Sequence, residues 1–154
     1  MADLANTISE FKNLKGDAEA AINFVKHGPH SFEELQVPSA GGYYEFSSYK
    51  EFYKDVYSAR LLEKRFGSAG AGYQYHHIVT QGGENQRKIP AEGLQNTNNI
   101  VRLPTLLHEA VSTEYSKPAP KDRSITRYQW VQTQPYDTQR EEGLRILREL
   151  NILK

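Results

Sequence analysis

YQYHHIVTQGG, residues 73–83, decides how the rest of the chain is read. Aromatic and β-branched residues run through it and a Gly82-Gly83 pair closes it, so residues 73–80 read as a strand ending in a turn. His76 and His77 are neighbours within that strand. Adjacent strand residues point to opposite faces, so the backbone presents one imidazole to each side at a single point.

Downstream, residues 81–98 form a long polar connection holding Gly82, Gly83, Pro90 and Gly93. NIVRLP, residues 99–104, reads as a second short strand. PTLLHEAVSTEYS, residues 104–116, reads as a helix with Pro104 in its first turn and Leu107, Val111 and Tyr115 on one face. The order is strand with His76-His77, polar loop, strand opening at Asn99, helix with His108. Twenty-one residues separate His77 from Asn99, and eight separate Asn99 from His108. Taken singly, each of these residues has an ordinary structural role, and Asn99 in NTNN is a natural turn residue. The functional signal lies in their joint spacing on this order of elements.

That spacing resembles the His-Asn-His (HNH, or ββα-metal) endonucleases, in particular DNase colicins and the bacterial polymorphic-toxin nucleases with an "HH" motif. The resemblance spans residues 73–116 and rests on the aromatic-x-aromatic-His-His start, the Gly-Gly turn, the NNI opening of the second strand and the Asn-to-His spacing. It implies that His76 and His108 bind one divalent metal ion and that His77 is the general base. It implies that Asn99 braces the loop carrying that base. In the colicin-type pattern a further ligand stands four residues after the helix histidine; here that position is Ser112. A two-histidine site leaves the ion open among Mg²⁺, Mn²⁺, Ni²⁺ and Zn²⁺. Glu109 points off the ligand face by helical geometry and is not expected to bind the ion.

Phosphodiester hydrolysis at neutral pH explains these residue types independently of any family. It needs an activated water, stabilisation of charge on phosphorus and help for the departing oxygen. An imidazole suits the first task, and a cation suits the other two. Diverging histidines let the two kinds of work proceed from opposite sides of one strand.

Bulk properties set the limits. The chain has 154 residues, a hydrophobic content of 38% and no cysteine, with a mean hydropathy of −0.71. Disulfides and thiolate metal sites are excluded, and no apolar stretch reaches the length of a membrane span. The opening MADLANTISEFKNLKGDAEA has no basic segment followed by an apolar one, so no secretory signal is expected. Net charge is zero, with 10 acidic and 8 basic residues over positions 1–70 and 9 acidic and 11 basic over 71–154. Nonspecific coating of nucleic acid is therefore disfavoured. Arg87 and Lys88 in the long connection, Arg102 on the second strand, and Arg123 and Arg127 in the basic segment 117–127 are the candidate nucleic-acid contacts. A solvated loop is the competing reading of that last segment.

Upstream, residues 4–27 show helical spacing stopped by Gly28-Pro29, with Gly16 a possible break. Residues 31–46 read as loop with short extended pieces, and residues 48–66 as a helix ended by GSAGAG, residues 67–72. His27 and His30 read as loop residues. TRYQWVQT, residues 126–133, fits strand or helix, and TQREEGLRILRELNIL, residues 138–153, is an amphipathic helix. The expected fold is α+β: a ββα-metal core in residues 71–154, with an N-terminal helical subdomain in residues 1–70 and a C-terminal helix.

The expected activity is metal-dependent cleavage of DNA with little sequence preference. RNA is a further possible substrate. The expected setting is an antibacterial effector toxin that acts in the cytoplasm of a target bacterium after secretion or injection, with a cognate immunity protein. A phage or mobile-element nuclease, and an inactive nucleic-acid-binding or interaction module, are the alternatives.

Overall fold

The computed structural model describes residues 4–36, 69–94 and 96–154, with side-chain surroundings given from residue 15 onward except at residues 91 and 92. Along them run α1 (Leu4–Lys26), α2 (Phe32–Leu35), β1 (Tyr73–His77), α3 (Asn85–Lys88), α4 (Ala91–Leu94), β2 (Ile100–Pro104), α5 (Thr105–Ser116), α6 (Arg127–Gln132) and α7 (Tyr136–Glu149). Helix and strand are mixed in an α+β arrangement, and among the described residues the sheet is one antiparallel pair, β1 with β2. The helix expected over residues 48–66 lies outside the described residues.

The strand register sets everything near the histidine pair. His76 opposes Val101, His77 opposes Ile100 and Tyr75 opposes Arg102. Directly opposed residues share a face of the sheet. His76 is therefore on the side of Val101 and Leu103, both fully buried, and is itself only 5% exposed. His77 is on the side of Tyr75 and Arg102. Helix α5 follows β2 directly and packs against both strands. Its Val111 and Tyr115 are buried in the main core beside Ile78, Val131, Ile146 and Leu147.

Local chemistry explains the helix ends. Thr126 and Gln129 cap α6 reciprocally: Thr126 Oγ1 accepts the Gln129 N–H at 3.1 Å and Gln129 Oε1 accepts the Thr126 N–H at 2.9 Å. Such a capping box is worth about 1 kcal/mol and resolves residues 126–133 in favour of helix. Helix α7 begins after Pro135 and presents Gly143, Ile146 and Leu147 inward. Gly143 has a steric role, since a Cβ there would lie 2.6 Å from the Ile78 carbonyl oxygen and 2.8 Å from its Cγ2. The missing side chain lets α7 sit directly on the backbone that follows β1.

Several boundaries differ from the expectation. Helix α1 runs unbroken through Gly16, where a Cβ would meet nothing within 4 Å. The long connection is not plain loop, because it contains the four-residue helices α3 and α4 and a tight turn at Thr97–Asn99. Four-residue helices are too short to leave a periodic signature. Helix α1 lies against α5 and β2, and Phe24 and Phe32 pack on the main core. Backbone bonds join the segment after α1 to the chain's last residues. The His30 N–H donates to the Ile152 carbonyl at 2.9 Å and the Lys154 N–H donates to the His30 carbonyl at 2.8 Å.

Candidate metal centre and cleft

His76 combines deep burial with an unanswered nitrogen. Its Nε2 is one of two buried side-chain polar atoms, with Thr97 Oγ1, that find no hydrogen-bond partner among the described residues. A buried polar atom left unpaired costs about 1–3 kcal/mol. Burial, helped by the neighbouring rings of His108 and His77, pushes its pKa from the ordinary 6.5 down to about 3. The ring is thus neutral across physiological pH, which is the form that binds a metal ion.

His108 comes from the first turns of α5 and meets His76 edge to face. The ring centres are 5.1 Å apart and the planes stand at 76°. Burial lowers the pKa of His108 as well, against a weaker opposite pull from Glu109. The separation bears on whether a cation fits. With a metal–nitrogen distance of about 2.0–2.1 Å and roughly 1.1 Å from nitrogen to ring centre, two imidazoles on one tetrahedral ion have centres about 5 Å apart. The donor types, the unanswered nitrogen and the spacing all suit a divalent ion held by His76 and His108. Among the described residues, no group of three or more His, Cys, Asp or Glu is placed to hold one. Ser112, one turn beyond His108, donates its hydroxyl to the His108 carbonyl at 3.2 Å. A cation held by these two rings would therefore complete its coordination with water or substrate oxygens.

Asn99 sits at the end of the Thr97–Asn99 turn, fully buried. Its Oδ1 accepts the Val79 N–H at 2.7 Å, and its Nδ2 donates to the carbonyls of Val79 and Leu94, each at 3.0 Å. The Ile78 N–H donates to the Asn99 carbonyl at 2.9 Å. Asn99 thus holds the two residues that follow His77 to the start of β2, Val79 through its side-chain amide and Ile78 through its backbone carbonyl.

A cleft of about 530 Å³ opens over this arrangement, bordered by His76, His77 and His108, by Thr80, Gln81 and Gly82 of the following loop, and by Tyr75, Tyr115 and Tyr128. Both members of the histidine pair reach it because β1 ends at its rim. Burial raises the phenol pKa of Tyr115 to about 12, so that ring enters the wall uncharged.

None of the five basic residues assigned to nucleic acid lines this cleft, and the structure employs three of them elsewhere. Lys88 donates to the backbone carbonyls of Gln132 and Gln134, stapling α3 to the α6–α7 junction. Arg127 is buried and pairs with Glu142, with Glu149 at 3.4 Å and with Glu114 at 3.9 Å. Its guanidinium is committed to these carboxylates. Arg102 shares the sheet face of His77, but its guanidinium lies 3.6 Å over the Tyr73 ring and donates to the Ala69 carbonyl at 2.5 Å. Arg87 and Arg123 are exposed. His27 and His30 serve their own segment: His27 Nδ1 donates to the Asn23 carbonyl at 2.8 Å, and the His30 ring lies between Glu34 and the Phe24 carbonyl.

Thr80 and Gln132 belong to the surroundings of the cleft and went unmarked in the sequence. Thr80 carries a local hint, standing three residues after His77 and ahead of the Gly-Gly turn. Gln132 carries none, because its contact with Thr80 spans 52 positions. Compared with known protein families, with curated proteins and with solved structures, the chain matches none.

Proposed function

We propose that this chain is a metal-dependent endonuclease of the ββα-metal type that hydrolyses DNA phosphodiester bonds. The observation carrying the proposal is the buried, unanswered Nε2 of His76 beside the His108 ring at the floor of an open cleft. Burying an imidazole nitrogen without a partner is unfavourable for folding alone and is compensated when the nitrogen binds an ion.

When bound, a divalent cation supplies positive charge to the scissile phosphate and the leaving oxygen. His76 and His108 would hold it as neutral ligands. His77 accepts the proton of the attacking water from the other side of β1, the departing 3′ oxygen takes a proton from solvent water, and the hydrolysis leaves 5′-phosphate and 3′-hydroxyl ends. Asn99 fixes the backbone after His77, which limits the base to a narrow range of positions. Tyr75, Tyr115 and Tyr128 wall the cleft and reduce water around the phosphate. Sequence preference is slight in this reading, because contacts to the phosphate backbone carry no base information. An antibacterial role, with an immunity protein covering the cleft, belongs to the same proposal.

The test is nicking of supercoiled plasmid with Mg²⁺, Mn²⁺, Ni²⁺ or Zn²⁺ in turn. Cleavage that is abolished by EDTA and by His77→Ala supports the reading. Metal-independent cleavage, or full activity of His77→Ala, overturns it. Bacterial growth arrest on expression, relieved by His77→Ala, tests the toxin setting separately.

A further inference from the structure

The loop after His77 carries a hydroxyl whose direction is fixed by its neighbours. Gln132 Oε1 accepts the backbone N–H of Asn85 at 2.9 Å. A backbone N–H only donates, so the Gln132 atom facing it is the oxygen, and the amide nitrogen lies on the other side. That nitrogen is 2.7 Å from Thr80 Oγ1 and donates to it. Asn85 is oriented in the same way. Its Nδ2 faces the Thr80 carbonyl at 2.8 Å and Gln139 Oε1 at 2.7 Å, and approaches Thr80 Oγ1 at 3.3 Å. Gln139 is oriented in turn by the Gln134 carbonyl, to which its Nε2 donates at 2.9 Å. Backbone groups anchor the network at several points, and no amide in it can turn over without losing bonds.

The consequence falls on Thr80. A hydroxyl has two acceptor sites and one proton. Gln132 Nε2 fills one acceptor site, and Asn85 Nδ2, whose two protons go to the Thr80 carbonyl and to Gln139 Oε1, only approaches the other side at 3.3 Å, so the proton points away from the Gln132 donor. Among the described residues, none accepts it in a hydrogen bond. Thr80 borders the cleft with His76, His77 and His108. The serine hydroxyls of the opposite wall are already committed: Ser112 donates to the His108 carbonyl at 3.2 Å and Ser116 to the Ser112 carbonyl at 3.1 Å. Among the described residues, the lining contains no Lys, Arg, Asp or Glu. An oriented hydroxyl donor in such a wall suits an anionic oxygen that arrives from outside.

We propose that Thr80 is a substrate-contacting residue, donating its hydroxyl proton to a non-bridging oxygen of the bound phosphodiester, and that Gln132 is the positioning residue that aims it. This rests on the nuclease reading for the identity of the anion. The geometry makes a sharp distinction between variants. Thr80→Val keeps the shape and removes the donor; Thr80→Ser keeps the donor. Gln132→Glu keeps an acceptor for the Asn85 N–H but sets a second acceptor against Thr80 Oγ1, which draws the hydroxyl proton away from the cleft.

Cleavage of a short DNA duplex is measured at steady state for these variants and the unaltered chain. In parallel, dimethyl phosphate is titrated into the unaltered chain and into Thr80→Val while amide resonances are followed. Loss of one donor to a charged oxygen predicts a roughly tenfold to hundredfold fall in kcat/KM for Thr80→Val and Gln132→Glu, with Thr80→Ser within about threefold of the starting value. In the titration, the Thr80 amide and the Gln132 side-chain amide are expected to shift. Full activity of Thr80→Val, or equal impairment of Thr80→Ser, overturns the proposal. Shifts confined to other residues overturn it even if a variant fails to fold. If the unaltered chain cleaves nothing, yet dimethyl phosphate shifts those resonances and Thr80→Val abolishes the effect, the nuclease reading fails while the anion contact stands.

Discussion

Gly143 of α7 rests on the carbonyl of Ile78, so closely that a methyl group at position 143 would lie 2.6 Å from that oxygen. In an exposed helix, glycine to alanine is worth about 1 kcal/mol in favour of folding. Here the sign reverses. Gly143→Ala must push α7 off the backbone after His77, and overpacking of this kind costs about 1–3 kcal/mol. A lower urea midpoint with unchanged slope is the expected result; an equal or higher midpoint would show that the two segments separate without cost.

Asn99 is expected to matter for stability as much as for activity. Asn99→Ala strands the Val79 N–H and the carbonyls of Val79 and Leu94 in the interior. At about 1–3 kcal/mol for each unpaired buried group, partial relaxation still leaves a loss of roughly 3 kcal/mol. Asn99→Asp should be worse, because it sets a carboxylate oxygen against two carbonyls. Chemical denaturation of the three proteins checks the order, and Asn99→Asp matching the parent would contradict it.

Metal binding has a readout that needs no catalysis. An ion at a concentration a hundred times its dissociation constant stabilises the folded chain by about 2.7 kcal/mol. For a chain of this size that raises the melting temperature by roughly 5–10 °C. His76→Ala and His108→Ala should each remove the rise, while His27→Ala, just past α1, should keep it. A rise that survives both cleft substitutions would move the ion elsewhere.

Acid lability of the metal-free chain follows from His76. Its folded pKa, about 3, lies below the ordinary 6.5, so between those values the unfolded chain binds the extra proton. Stability from this group is complete above about pH 6.5 and is lost as pH falls toward 3, amounting to about 2 kcal/mol by pH 5. His108 is shifted in the same direction. His76→Gln should flatten the fall in stability over this window when both proteins are unfolded in EDTA; parallel curves would mean that His76 is protonated without penalty.

The order of strand, loop, strand and helix was legible because its signals are local. Aromatic and β-branched runs mark β1 and β2, glycines and prolines mark their ends, and Pro104 marks the start of α5. The side-chain roles that rest on distant contacts were not legible. Lys88 reads as a surface cation in sequence, yet its acceptors are 44 and 46 positions away. Arg127 reads as part of a basic loop, while its strongest partner, Glu142, lies a full helix later. Gly16 reads as a break because composition does not reveal that its surroundings are open. The pairing of His76 with His108 was implied by the resemblance that their spacing carries; the orientation of the Thr80 hydroxyl depends on four side chains from three segments, and no spacing encodes it.

The bonds between His30 and the chain's final residues also bear on how the protein assembles. His30 pairs with Leu153 in a parallel bridge, so the segment after α1 is completed by a stretch synthesised more than a hundred positions later. Contacts of such long sequence separation require closure of most of the chain before they contribute, which slows folding. Ile152 and Leu153 are also core residues, so a polypeptide interrupted before them has an open seam along its interior and lacks the backbone bonds that hold the segment after α1.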